Sequence, residues 1–520
     1  MSIVYQGTTN LNVVGIPNAY VQIVPPNIPI QGVETDIIGI VGTAIGGPTN
    51  SPFVGSYQDC LNMFGTPQNS TFDLMTQAML CNMQGANNFR IVRVTDGTDV
   101  AATVNLLDTA PATGAVLTSK YTGTLGNNLR AVISAGTSTI TGTLTYKLTV
   151  YVLGGLTEVF DNIGGTGATF WTNLVNAVNL GQSGIRGPSN LVVATDSTGT
   201  AAPALSSYSL AGGTTGNSGV TSTTLIGADG LTRTGMYALR NSGASLGLLA
   251  DLTDTTKWSV VDSFSRSTFI YFGLPGAIGQ QDTISTAVTN LQGVGIDDPT
   301  IFVMLGDWLY FNDPYNNITR LGSPAAFRQG LLANLLPNDS AQNKPLYGIV
   351  ASQKSQEHKK YSDAELSALN TGRIDVIANP EPAGNIWASR LGINTSSNPY
   401  SNRDNYPRMN FYLANSMLGF LGKYIGRPYS VSLVDQANAE LNSFYQQLQS
   451  SQMIVGYNVK MDTPDKAGTN NPQARIDLGF LQADIQVQLA AIIVNFVVNL
   501  DANQGVQISF TTSPRAGLNQ

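Results

Sequence analysis

Apolar positions recur at helical spacing in the last third of the chain and gather into short strand-like runs elsewhere. The clearest helical signal is YPRMNFYLANSMLGFLGKYIGRP, residues 406–428. Phe411, Ala414, Leu418, Leu421 and Ile425 share one face, and Leu413, Met417, Phe420 and Tyr424 widen the stripe. Gly419 and Gly422 keep one side slim, and Pro428 is expected to stop the helix. A second helix is predicted after it, with Val434, Ala437, Leu441, Phe444 and Leu448 on one face and Ser432 with Asp435 as a capping box. Ahead of the pair come a strand-like run at 374–378, breakers at Pro380, Pro382 and Gly384, and the segment NIWASRLG at 385–392. Periodicity alone makes this region a helical hairpin on a sheet, with Trp387 and Arg390 as packing residues.

The rest of the chain reads in blocks. Residues 1–24 form an arm: Gly15, Pro17 and Asn18 break it, AYVQIV at 19–24 is a short strand, and Pro25-Pro26 breaks it again. That strand has no hairpin partner nearby and is expected to pair remotely. From 35 to 94 the pattern is α/β: a buried strand at 36–42, a Gly/Pro loop, a helix at 57–64 capped by Ser56 and stopped by Gly65, a helix at 72–84, and a strand at 89–94. Such alternation predicts a partly parallel sheet.

Composition turns to Thr, Gly and Ser over 95–209, with alternating strands such as LTYKLTVYVL at 144–153, which reads as an inserted β domain. The α/β pattern resumes to about 379. Strands are expected at 269–272, 300–305 and 347–350, and helices at 283–291 and 324–335. Strands are expected again at 453–461, 474–489 and 491–500, and a last one, VQISFTT at 506–512, lies beyond the breaker 501–505. Both ends therefore carry a strand on a tether.

Charge changes the picture more than chemistry does. The 520 residues suggest about three domains. Only 11% are charged, so the surface is either rich in turns or largely covered by other subunits. A net charge of −7 without a basic run argues against direct nucleic-acid binding. No run reaches the length of a membrane span, and no signal peptide is legible, so synthesis in a cytoplasm without membrane insertion is expected. Cys60 and Cys81 are expected to be buried free thiols.

Catalytic groups are scarce. The single histidine, His358, sits in the polar run QKSQEHKKYSD and reads as a solvated residue. The reading is of no enzyme, no cofactor and no metal: one histidine and two separated cysteines cannot build structural zinc, and no Asp-rich calcium loop appears. The Gly fragments at 42–48 and 419–424 lack phosphate-loop spacing, and no serine sits in a nucleophile elbow.

Segments in order carry a resemblance: AYVQIV through LNMFG (19–65), SLAGGTTG (209–216), LYFNDPYNNITRLGSPAAFRQGLLAN (309–334) and GRIDVIANPEPAGNIWASRLG (372–392). Together the chain resembles the contractile tail sheath proteins of bacteriophages. It departs from their usual residues at Gln329, Asp375 and Ala378. The resemblance implies an α/β multidomain fold: arm 1–24, α/β core 25–94 plus 210–379, inserted mainly-β outer domain 95–209, C-terminal α+β inner assembly domain 380–500 and arm 501–520. It implies a structural virion subunit, a late protein made in the host bacterial cytoplasm. Such subunits polymerise as a six-fold helical tube around a tail tube protein, between baseplate and tail terminator proteins, and contract for genome delivery through the host envelope.

The strands expected to be exchanged between subunits are Ala19, Tyr20, Val21, Gln22, Ile23 and Val24, and Val506, Gln507, Ile508, Ser509, Phe510 and Thr511, with 491–500 as a rival for the second. Lys423 and Arg427 are expected to face the tail tube. A glycan-binding or glycan-cleaving tail protein, with 95–209 as its lectin-like part, is the alternative.

Overall fold

A computed structural model of the chain describes residues 3–6, 20–23, 32–140, 143–152, 155–278, 283–356, 360–379 and 384–494. The first two strands, β1 (Ile3–Gln6) and β2 (Tyr20–Ile23), pair in parallel with Tyr20 opposite Ile3. The expected strand at 19–24 is thus present over Tyr20–Ile23, but it pairs with the opening segment of the chain and not with a remote one. Four residues of β1 carry too little pattern to be read alone. Ala19 and Val24 lie outside the described residues.

β3 (Ile38–Gly42) is buried along its whole length, as a strand covered on both faces must be. β4 (Phe53–Gly55) and α1 (Tyr57–Phe64) follow. Ser56 and Asp59 close a reciprocal capping box at the start of α1, and Gly65 ends it at φ +87. Asp73 caps α2 (Leu74–Met83), which leads to β5 (Phe89–Arg93). Cys60 and Cys81 are buried free thiols; burial pushes the Cys60 thiol up to about 12.

The next stretch has a core of its own. β6 (Thr103–Leu107), β7 (Thr113–Ser119), β8 (Leu129–Ile140), β9 (Thr143–Val152), β10 (Thr157–Ile163), β11 (Val192–Asp196) and β12 (Ser207–Ser209) form two sheets, ordered β10-β9-β8-β12 and β11-β7-β6. A helix that the Thr/Gly composition hides, α3 (Ala168–Leu180), packs on β7, β10 and β11. Its Phe170, Trp171, Leu174, Ala177 and Val178 share a core with Leu117, Ile133, Leu148 and Phe160. These five fall at helical spacing, so the local pattern was legible beneath the composition.

The chain then returns to the first sheet. α4 (Ser222–Ile226), β13 (Leu246–Leu249), α5 (Trp258–Thr268), β14 (Tyr271–Pro275), α6 (Ile284–Val294) and β15 (Ile301–Met304) complete it. The order is β15-β14-β13-β3-β5-β4, parallel throughout except at the β4 edge. The two faces bury alternate residues: Ile38, Ile40, Tyr271 and Phe302 on one, and Val41, Phe272, Leu274 and Val303 on the other.

A second, antiparallel sheet follows: β16 (Leu309–Asp313), β17 (Ile318–Gly322) and, after α7 (Pro324–Ala333), β18 (Ile349–Ser352). All ten residues of α7 are buried. It crosses α2 at Gly330, where a Cβ would lie 2.5 Å from Cys81 Cα, so only glycine lets the backbones approach this closely. α8 (Gln353–Gln356) and α9 (Asp363–Gly372) lead to β19 (Ile377–Ala378), paired with β20 (Ala388–Ser389). The strand expected at 374–378 is therefore split. Its first half bridges instead to the edge of the parallel sheet, where the Asp375 N–H donates to Val303 O at 3.0 Å.

Candidate functional site

Five elements build the C-terminal unit: α10 (Asn405–Leu421), α11 (Val431–Ser450), β21 (Ile454–Lys460), the turn α12 (Gln473–Ile476) and β22 (Asp484–Leu489). On α11 the predicted face is the observed one: Val434, Ala437, Leu441, Phe444 and Leu448 are all buried. The helix starts earlier than expected, because Ser430 and not Ser432 caps it, accepting from the Leu433 N–H at 3.1 Å. α10 departs further. It ends at Leu421 in a 3-10 turn (Gly422–Tyr424), ahead of Pro428. Its N-terminal turns are buried through Met409 and Leu413, whereas Leu418 is 65% exposed and Ile425 83%. A Cβ at Gly419 or Gly422 would meet nothing among the described residues. The apolar stripe is core at one end and open surface at the other.

β21 and β22 form an antiparallel ribbon, Tyr457 opposite Val487 and Lys460 opposite Asp484. Ile454, Tyr457, Val459, Ile485, Val487 and Leu489 pack with the α11 face, and Tyr445 stacks on Tyr457 with ring centroids 5.6 Å apart. Asn458, Asp484, Gln486 and Gln488 face outward. No described strand pairs with either outer edge of the ribbon. The strand expected over 474–489 is thus confined to β22, because α12 and a loop take its first half. Residues 491–494 are not a strand, and 495–500 lie outside the described residues, as do Val506, Gln507, Ile508, Ser509, Phe510 and Thr511.

A buried ionic cluster ties this unit to the core. Arg328 of α7 is fully buried, with Nη1 3.1 Å from Asp375 Oδ2 and Nη2 3.4 Å from Asp404 Oδ2, and its guanidinium lies 4.0 Å over the Phe302 ring. Burial works against its charge, but Asp375 and Asp404 outweigh it and hold the Arg328 pKa above the ordinary value. Arg408 reaches back from α10 to the end of α7, donating to the carbonyls of Leu332 (2.7 Å), Leu335 (2.8 Å), Leu336 (3.1 Å) and Asp339 (3.2 Å). It neutralises the negative end of that helix, and burial pulls its pKa down to about 10. Asp375, a departure from the resemblance, is here an ion-pair partner. The arginine, beside Gln329 in the otherwise apolar helix PAAFRQGLLA, was the one signal of this cluster in the sequence.

Lys423 is engaged within the chain. Its Nζ lies 2.5 Å from Oε2 of Glu440, whose side chain is 2% exposed, and 4.0 Å over the Phe420 ring. Burial opposes ionisation of Glu440, but hydrogen bonds from Lys423 and Tyr424 hold it below the usual carboxylate range. Arg427 is exposed, with its guanidinium 5.9 Å from the Tyr424 ring centroid. Of the pair, Arg427 carries its charge outward and Lys423 spends most of its own on Glu440. Trp387 packs against the core and Arg390 donates to Asn343 Oδ1 at 3.0 Å. Among the described residues there is no group of three or more metal-ligating side chains, and no helix is long and apolar enough to cross a membrane. His358 lies outside them.

The sequence matches no protein-family model, and no curated protein is significantly similar to it. Solved structures are similar. A sheath tail protein of Listeria innocua superposes with a TM-score of 0.57 at 12% identity, over 89% of this chain and 96% of its own. A sheath tail protein of Desulfitobacterium hafniense gives 0.53 at 13%, over 85% and 93%. The sheath complex of an extracellular contractile injection system in its contracted state gives 0.50 at 12%, over 94% and 98%. The chain has the mixed α/β fold of contractile sheath proteins, and the resemblance read from its segments holds at the level of fold.

Proposed function

We propose that this chain is a subunit of a contractile tail sheath whose neighbours are joined by added strands. The observation that carries the reading is the β21–β22 ribbon, held on a helix pair with both outer edges free of any described strand. Two-stranded ribbons are marginal in water, and among the described residues two have strands of four residues or more, β1–β2 and β21–β22. Each supplies what the other lacks. A strand of about five residues added to the ribbon contributes on the order of several kcal/mol per junction, at about 1 kcal/mol net per hydrogen bond.

In this reading residues 1–24 and 501–520 are arms reaching different neighbours, 25–94 with 210–379 is the core, 95–209 is the outer insert and 380–500 is the inner assembly domain. Arms to different neighbours make heterologous contacts that do not close, which is what a helical lattice needs. The tube is six-fold, surrounds a tail tube protein, and runs between baseplate and terminator proteins. Its contraction drives genome delivery, with no chemical step by the subunit.

The open face of α10 (Leu418, Leu421 and Ile425, with Gly419 and Gly422) and Arg427 meet the tail tube. Electron microscopy of the purified protein tests the reading: the parent forms hollow striated tubes. A chain lacking residues 1–24 gives dispersed particles with the parent's circular dichroism. Normal tubes from the truncated chain would sink the strand-exchange mechanism, and an absence of tubes from the parent with tail tube protein present would sink the sheath reading.

A further inference from the structure

β10 and β11 are outer strands of the two sheets in the 103–209 stretch, and side chains bond to their outward backbone groups. Ala194 stands opposite Leu117 in the β11–β7 ladder. Its N–H donates to Asn179 Oδ1 at 2.9 Å, and Asn179 Nδ2 donates to its carbonyl at 2.7 Å. One amide therefore occupies both backbone groups that an added strand would use. The Val192 N–H donates to Ser189 Oγ at 3.0 Å.

On β10 the carbonyls of Val159 and Asp161 accept from Arg186 Nη1 at 3.2 Å and Gln182 Nε2 at 2.6 Å. All four side chains come from the end of α3 and the turn after it. That turn is closed by paired backbone bonds between Gln182 and Arg186 of 2.9 and 3.0 Å, and Gly184 supplies the positive φ of +74 at its tip. Glu158, 5% exposed on β10, fastens the turn: it pairs with Arg186 at 3.2 Å and accepts from Ser189 Oγ at 2.5 Å and the Asn190 N–H at 3.0 Å. The edges need such cover, because Val159 and Val193 leave 42% and 43% of their surface exposed on them.

We infer that Asn179, Gln182, Arg186 and Ser189 are plugs, positioned by Glu158, that stop copies of this chain from pairing edge to edge through the 103–209 sheets. This belongs to that stretch alone and holds whether or not the chain is a sheath subunit. The test compares the full-length parent with Asn179→Ala/Gln182→Ala/Arg186→Ala, by sedimentation velocity over a concentration series and by hydrogen exchange at Ala194. At concentrations below those at which the parent assembles, the triple variant should show an association the parent lacks, with average mass at least doubling where the parent's is constant. At the lowest concentration its Ala194 amide should exchange at least tenfold faster. A variant with the parent's circular dichroism, mass profile and Ala194 exchange overturns the proposal. Should the triple variant lose its fold, Asn179→Ala alone decides. It places the best helix former in α3 and opens only β11; parent-like mass and parent-like Ala194 exchange then overturn the proposal equally.

Discussion

Replacing Arg328 by methionine keeps much of the side chain's apolar bulk and removes a charge that two buried carboxylates share. The consequences for the two differ. Asp375 keeps four donors: the N–H groups of Val376 (2.8 Å), Leu391 (2.9 Å) and Gly392 (3.2 Å), and the Ser389 hydroxyl. Asp404 keeps one, the Ala341 N–H at 2.9 Å, and its Oδ1 has no hydrogen-bond partner among the described residues. The loss therefore falls mainly on Asp404. Breaking a buried pair from one side costs about 3–5 kcal/mol, and the donors left to Asp375 place this case near the lower figure. Adding Asp404→Asn removes the stranded charge, so the double variant should recover at least about half of that loss. Native-state hydrogen exchange on α7 and the first turns of α10 reads the effect locally, where a whole-chain unfolding curve would mix several cores. About 3 kcal/mol corresponds to exchange roughly 100-fold faster. Less than tenfold acceleration in Arg328→Met, or a double variant that exchanges as fast as the single one, would contradict the assignment of the loss to Asp404.

Three further outcomes follow from the same structure. Burial, and then the neighbouring Asp73 carboxylate, raise Asp251 to about 7. Between about pH 4 and 7 the folded chain holds a proton that the unfolded chain has lost, so this group lowers stability as pH rises through that window. Asp251→Asn should match the parent at pH 4 and exceed it by about 4 kcal/mol at pH 8, read by native-state hydrogen exchange on α2 and β13; equal exchange protection at both values contradicts the assignment. Gly330→Ala pushes a methyl against the Cys81 backbone and should cost about 1–3 kcal/mol despite better helix propensity, so unchanged or slower hydrogen exchange on α2 and α7 contradicts the α2–α7 contact. On the proposed sheath reading, Arg427→Glu should weaken co-sedimentation with a tail tube protein more than Lys423→Met does, because Lys423 is already paired with Glu440; equal effects contradict the division of labour.

How much was legible depended on where each cause lay. α1 could be read to its ends because Ser56, Asp59 and Gly65 act within a few residues of them. The buried face of α11 was equally local. β13, at the middle of the parallel sheet, was not, since LGLL is too short to separate from a buried turn of helix. α3 was masked by the composition around it. The α10 stripe shows a limit of a different kind, because the pattern Leu418, Leu421, Ile425 is the same whether that face meets the chain's own core or another protein. For the candidate site, the ribbon strands and the helices behind them were visible. The Arg328–Asp375–Asp404 cluster was not, because its members are brought together by three separate elements.

The central claim is that a strand from one copy adds to the C-terminal ribbon of another, and a disulfide between copies measures it most directly. Two differently tagged chains are mixed, one carrying Val21→Cys and the other a single cysteine scanned along Asp484–Leu489 and Ile454–Lys460. The native Cys60 and Cys81 are buried and do not compete. Cross-links joining the two tags, restricted to one outer edge of the ribbon and to positions on alternate residues, are the predicted result. Assembled tubes in which no scanned position links to Val21→Cys of another chain would contradict it.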